Sequence, residues 1–311
     1  MMRCARNTLL WLCAAALVSC TAQRTDDAAL LSVGRALLSY DQALPLEPQV
    51  SARDAEGVYS ITYTSAHGER VPAVLALPTD REGKVGCVLL MHGLGGKKEY
   101  METFWEQLTK QGYACFAIDA KYHGERPKGA AGMSLLDYPY DARDALAQTV
   151  IDLRRGLDYL ATRDEIDMAR IGYVGVSMGA ILGAITSGVD ERIASTVLVV
   201  GGGDWSLITE KTVLPLASGG KLKNEEQRKA IVEALAPLDP LLWVGHISPR
   251  PLLMINGEKD QVVPVESNKA LHAAAKEPKK IVWFPGGHMP PADLLKDEVT
   301  AWFGEHLGGE D

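Results

Sequence analysis

The residues with the clearest chemical potential are Gly175-Val176-Ser177-Met178-Gly179. The apolar run Arg170–Val176 ahead of them reads as a strand, and the stretch from Met178 reads as a helix. Ser177 therefore sits on a tight strand-to-helix turn, the setting in which a serine hydroxyl is pushed up as a nucleophile. Glycines two positions to either side let the turn close without side-chain collision. The start of the helix points its positive end at any negative charge that develops beside Ser177. The bland alternative is a surface turn of small residues, and the flanking strand and helix weigh against it.

A serine hydroxyl is a weak nucleophile until a base takes its proton. In chains with this kind of turn, an acid and then a histidine follow the serine. The late histidines are His272, His288 and His306. His272 and His306 fall within predicted helices and read as surface residues. His288 lies in Phe284-Pro285-Gly286-Gly287-His288-Met289-Pro290, a loop after the last predicted strand, and is the expected base. The acid belongs just after the preceding strand, where the sequence is Gly257-Glu258-Lys259-Asp260. Asp260 is the expected orienting acid, with Glu258 as its competitor.

Acyl chemistry also needs two backbone N–H donors for an oxyanion. Met178, after the serine, is one expected donor. Leu94, in Met91-His92-Gly93-Leu94-Gly95-Gly96, is the other. His92 reads as a brace for that loop. A further cluster, Asp119-Ala120-Lys121-Tyr122-His123-Gly124-Glu125-Arg126, follows another strand. His123 and Arg126 there can either contact substrate or form a loop hydrogen-bond network, and both readings stand.

These residues must be carried by alternating strands and helices. Short apolar runs at Val58–Thr64, Val71–Leu77, Val85–Met91, Tyr113–Ile118, Ile171–Val176, Thr196–Val200, Pro251–Ile255 and Ile281–Phe284 read as strands. Helical spacing covers about 99–111, 141–162, 178–188, 266–276 and 292–306. The first two strands form a hairpin, and the rest imply an α/β chain with a mostly parallel sheet. About fifty residues separate Val200 from Pro251, far more than such connections need. The 206–246 segment, with a helix at Asn224–Leu235, reads as a small lid insertion. Trp205, Leu207, Leu214 and Leu216 are its candidate apolar wall.

Together the Ser177 turn, His92 to Gly96, Asp119 to Arg126, Gly257 to Asp260 and Gly287-His288 resemble the α/β-hydrolase superfamily. Within it the resemblance is to bacterial esterases of the dienelactone-hydrolase-like and prolyl-oligopeptidase-like group. It implies an α/β-hydrolase fold, an eight-stranded mostly parallel sheet flanked by helices, with no metal or cofactor. It also implies Ser177, Asp260 and His288 as a catalytic triad and Leu94 and Met178 as oxyanion donors. Dienelactone hydrolases proper use a cysteine where this chain has Ser177, which argues against that substrate. Prolyl peptidases carry a propeller domain, for which residues 21–57 are too short.

The expected function is therefore hydrolysis of a small-molecule carboxylic ester through an acyl-enzyme. A thioesterase, a glycan deacetylase, a peptidase and a non-catalytic binding protein on the same scaffold are the competing readings.

The N-terminus adds a location. Arg3 and Arg6 precede a short apolar run, Thr8 to Val18, ending in Leu17-Val18-Ser19-Cys20. That pattern reads as a lipoprotein signal peptide over 1–19, with Cys20 lipidated and the chain anchored to the outer membrane of a bacterium, facing the periplasm. If the cysteine is not used, the chain is secreted. Residues 20–57 read as a linker and an N-terminal helix, and 58–307 as the hydrolase domain. Cys87 and Cys115 fall in predicted strands and read as packed thiols, with a disulfide as the alternative. A net charge of -8 without a clustered basic face gives no electrostatic case for nucleic acid. No Cys/His group has metal-ligand spacing.

Overall fold

A computed structural model describes residues 26–308, apart from 52–53, 55–56, 81, 128–137 and 215–224. The proposed signal segment and Cys20 lie outside the described residues, as does Leu216. Among the described residues, no helix is long and apolar enough to cross a membrane.

Among the described residues, nine strands form one sheet: β1 Gln49–Val50, β2 Val58–Thr64, β3 Arg70–Ala76, β4 Val85–Met91, β5 Ala114–Ile118, β6 Ile166–Val176, β7 Ser195–Val199, β8 Leu252–Gly257 and β9 Lys279–Phe284. Their spatial order is β1-β2-β3-β5-β4-β6-β7-β8-β9. The pairs β1–β2, β2–β3 and β3–β5 are antiparallel. From β5 through β9 every pair is parallel. Eight strands match the sequence expectation. The ninth, β1, is two exposed residues added at the edge, too short to leave a pattern.

The apolar runs explain the centre of the sheet. All seven residues of β4 and all five of β5 are buried, as strands covered on both faces must be. The longer β6 differs from expectation at its start. Its first half begins with the buried Ile166, paired with Val85, and continues through Asp167, Met168, Ala169 and Arg170, which are partly or fully exposed where the register to β4 shifts. Only Ile171–Val176 carries the apolar run that sequence reading detects.

Helices cover both faces: 26–37 (α1), α2 Glu102–Thr109, α3 Pro139–Leu160, α4 Met178–Val189, α5 Trp205–Lys211, α6 Glu225–Leu235, α7 Pro240–Trp243, α8 Val265–Ala274 and α9 Ala292–His306. Two apolar cores result. One lies beneath α3 and α4 and includes Cys87, Leu153 and Ile185. The other lies beneath α2 and α9 and includes Cys115, Trp105 and Phe303. Cys87 and Cys115 are both free, on neighbouring strands but opposite sheet faces.

The segment after α1 is fastened to the body. Leu38 is fully buried, and its carbonyl accepts a 2.6 Å hydrogen bond from Arg154. Arg155 donates to the carbonyls of Gln42 and Leu44. The long excursion after β7 holds α5, α6 and α7. It packs on α3, α4 and α8, over the ends of the strands that carry the site.

Candidate active site

Ser177 lies between β6 and α4, with φ 57° and ψ -115°. A residue with a β-carbon is strained there, and only a well-determined surrounding holds it. Its backbone N–H donates to the carbonyl of Val199 at 2.8 Å. The flanking glycines are needed for space. A β-carbon on Gly175 would lie 2.1 Å from the Gly179 carbonyl oxygen. One on Gly179 would lie 2.2 Å from that of Met91. The turn thus wedges between its own helix and the end of β4.

The structure brings the three expected side chains together. The Nε2 of His288 is 2.8 Å from Ser177 Oγ. The Nδ1 of His288 is 2.8 Å from Asp260 Oδ2. With Nδ1 donating to the carboxylate, Nε2 carries the lone pair that accepts from the serine hydroxyl. The Asp260 side chain is fully buried. Its other oxygen accepts from the N–H groups of Val262 at 2.9 Å and Val263 at 3.1 Å. These bonds fix the carboxylate and satisfy its charge in a dry setting. Glu258, the competing acid, is exposed beside the loop.

The loop after β4 runs directly past the serine. A β-carbon on Gly93 would touch Ser177 Cβ at 3.4 Å and lie 3.9 Å from Ser177 Oγ. Leu94 and Met178 both line the cavity that holds Ser177. Among the described residues, neither of their backbone N–H groups meets a protein acceptor. Met178 also opens a twelve-residue helix, whose positive end favours an anion.

His92 braces this loop. It is buried, with Nδ1 2.8 Å from the carbonyl oxygen of Gly93 and Nε2 accepting from the N–H of Ala120 at 3.2 Å. Burial, foremost, lowers its pKa to about 4, so the ring is neutral with its proton on Nδ1.

The structure decides between the two readings of the Asp119–Arg126 cluster, and it moves His272 from the expected surface to the interior. Arg126 does not reach the site. Its guanidinium is buried, ion-paired with Asp152 and, at 2.9 Å, with Glu69. The buried carboxylate of Asp152 and the partly exposed one of Glu69 hold it in the loop network. His123 bonds through Nδ1 to the carbonyl of Lys121 at 2.9 Å, and its ring packs 5.3 Å from that of His92. The loop-network reading describes both residues. His272, expected on the surface, is buried against Trp283 and bonded to Asn256 at 2.8 Å. Burial drives its pKa down to about 4. His306 is half-buried, its ring 4.1 Å from that of Trp302.

An apolar cavity of about 80 Å³ opens at Ser177. Trp205 and Leu214 of the insertion line it as anticipated, whereas Leu207 does not. Sequence reading missed Leu146 of α3, Ile181 of α4, and Val262 and Val263 of the acid loop. Nothing in their local spacing distinguishes them from ordinary core residues. Among the described residues, no group of three or more His, Cys, Asp or Glu side chains could hold a metal ion.

Comparison with known proteins agrees with this geometry. The family model described as "Serine hydrolase (FSH1)" matches residues 84–299, which include Ser177, Asp260 and His288. The chain belongs to the FSH1 serine hydrolase family. This serine hydrolase is 29% identical over 138 residues to the putative hydrolase YtaP of Bacillus subtilis, an alignment spanning 40% of this chain and 46% of that protein. It is 25% identical over 241 residues to the putative esterase YitV of the same organism, covering 73% of this chain and 92% of YitV. Its fold superimposes on the acetyl xylan esterase from Paenibacillus sp. R4 with a TM-score of 0.73. That match has 22% identity over 91% of this chain and 95% of the other, a likeness of fold alone.

Proposed function

We propose that this serine hydrolase cleaves carboxylic esters through an acyl-enzyme. The observation that carries the reading is the continuous line Ser177 Oγ, His288 Nε2, His288 Nδ1, Asp260 Oδ2, each hydrogen-bonded step 2.8 Å. His288 takes the hydroxyl proton as Ser177 Oγ bonds to the ester carbonyl carbon. The N–H groups of Leu94 and Met178 receive the oxyanion. Collapse breaks the bond to the alcohol, which leaves with the proton from His288. Water, deprotonated by His288, then attacks the acyl-Ser177 ester, and collapse breaks the bond to Ser177 Oγ, which takes the proton back from His288 as the acid leaves. Asp260 orients the ring and stabilises the transient imidazolium.

Replacing Ser177 by alanine should lower turnover of p-nitrophenyl acetate by on the order of 10⁶-fold and abolish labelling by a fluorophosphonate. Equal cleavage by that variant would sink the assignment.

The proposal extends to location: a lipid on Cys20 tethers the enzyme outside the cytoplasm, on the periplasmic face of the outer membrane. The basic residues, short apolar run and cysteine of residues 3–20 support it. Expressed in a bacterial host, the full chain should sediment with membranes, and Cys20→Ala should not. Identical fractionation of the two would remove the anchor from the proposal.

A further inference from the structure

Ser177 rests on the chain that leaves β7. Its N–H donates to the Val199 carbonyl at 2.8 Å, and the N–H of Val200 donates to the Ile255 carbonyl of β8 at 2.7 Å. That carbonyl and that N–H belong to one peptide group, and a trans peptide points them in opposite directions. The Val199–Val200 peptide therefore spans from the nucleophile to the strand that leads to Asp260.

The chain is strained at the next step. Val200 is fully buried and has φ 48°. A β-branched residue is sterically disfavoured there and persists only where its surroundings over-determine it. Two side-chain amides do so. The Gly201 carbonyl accepts from Asn256 Nδ2 at 3.0 Å and from Asn268 Nδ2 at 2.7 Å. Both asparagines are buried, Asn256 near the end of β8 and Asn268 on α8. Asn256 is itself oriented, with Oδ1 2.8 Å from His272 Nε2. With its Nδ2 turned to Gly201, that oxygen accepts and the imidazole N–H donates.

The clamped segment also meets the helix of the nucleophile. A β-carbon on Gly201 would lie 2.6 Å from Ala180 Cβ, and the Ala180 N–H donates to the Ser177 carbonyl at 2.9 Å. A shift of Gly201 thus reaches Ser177 by two routes, the 199–200 peptide and the first turn of α4. Asn256 and Asn268 stand on the elements to either side of Asp260 in the chain, so the same bonds tie the nucleophile to the acid.

We propose that Asn256 and Asn268 are positioning residues for catalysis, clamping the strained turn at Val200 so that Ser177 Oγ stays in line with His288. Both act through the backbone. This role rests on Ser177 as the nucleophile and not on which acyl compound is cleaved.

The test compares kcat and KM for p-nitrophenyl acetate, the rate constant of fluorophosphonate labelling, and the urea midpoint. Two amides share one carbonyl, so Asn256→Ala and Asn268→Ala each keep half of the clamp. Each should lower kcat and the labelling rate about tenfold, and the double variant about a hundredfold, the cost of a displacement of roughly 1 Å, with KM little changed. Asn268→Ser, a smaller change, gives the same comparison if an alanine variant does not fold. Glycine adopts φ 48° without strain, so Val200→Gly added to Asn268→Ala should restore kcat several-fold. Tyr113→Phe is the control for a purely structural loss. It removes a buried hydrogen bond to the Phe303 carbonyl in the other core, and should lower the urea midpoint with kcat unchanged. Asparagine variants that behave like Tyr113→Phe overturn the proposal, as does a Val200→Gly substitution that restores nothing. A wild-type chain that the fluorophosphonate does not label overturns the nucleophile assignment, and this role with it.

Discussion

A β-carbon placed on Gly257 would lie 2.0 Å from the carbonyl oxygen of Gly287. The end of the acid strand and the histidine loop are thus in backbone contact. Two hydrogen bonds tie the same segments: Glu258 N–H to the Phe284 carbonyl at 3.0 Å, and Lys259 N–H to the Gly286 carbonyl at 2.8 Å. The distance between Asp260 and His288 is set by this close approach. Gly257→Ala must push the loop outward, and displacements near 1 Å can cost about a hundredfold in rate. We expect kcat on p-nitrophenyl acetate to fall by about that factor while most of the fold survives. Steady-state kinetics beside a urea unfolding curve checks both, and wild-type kcat would contradict the geometry.

The backbone at Ser177 makes an unusual stability prediction. Its φ of 57° with ψ -115° is a conformation glycine tolerates and alanine does not. Ser177→Ala and Ser177→Gly should both be inactive. The glycine variant should nevertheless be the more stable by about 1 kcal/mol, since relief of ~1–3 kcal/mol of strain outweighs its added chain entropy. Urea midpoints at fixed pH compare them, and a more stable alanine variant would mean the turn is not strained.

Arg126 should behave as a structural residue. Removing it leaves the buried carboxylate of Asp152 without its main cation, a loss of about 3–5 kcal/mol. Arg126→Ala should therefore unfold at much lower urea, while its folded fraction in the cold keeps the wild-type KM for p-nitrophenyl acetate. Replacing both partners, Arg126→Met with Asp152→Leu, should recover much of the loss. A raised KM in a stable Arg126→Ala protein would return the residue to the substrate.

Acid should destabilise the protein through His92 and His272. Burial lowers each to about 4 in the folded state, against about 6.5 unfolded. Above pH 6.5 both states are neutral and nothing changes. Between 6.5 and 4 only the unfolded chain takes up the protons, so stability falls as pH falls. Each histidine contributes roughly 3 kcal/mol across that window. In urea melts from pH 7 to 4.5, His272→Gln should flatten the slope by about 1.4 kcal/mol per pH unit. An unchanged slope would show that His272 is not held neutral.

The sequence by itself determined the parts that a short stretch can encode. Ser177, Asp260 and His288 each follow an apolar strand run closely, and glycines stand where the backbones must meet. A strand buried on both faces cannot hide its apolar run, so β4 was legible to the residue. The first half of β6 was not, because charged and exposed positions interrupt its apolar ones.

Tertiary structure decided what depends on partners distant in the chain. Sequence alone left Arg126 between substrate and loop network and read His272 as a surface residue; a carboxylate and an amide brought from other elements make their burial tolerable. Cys87 and Cys115 sit on paired strands, and only the facing of the pleat separates them. The cavity at Ser177 is assembled from α3, α4, α5 and the acid loop, so no local spacing announces it. Chemistry was readable because it needs particular residue types at particular turns. Shape and burial were not, because they arise only when separate faces close on one another.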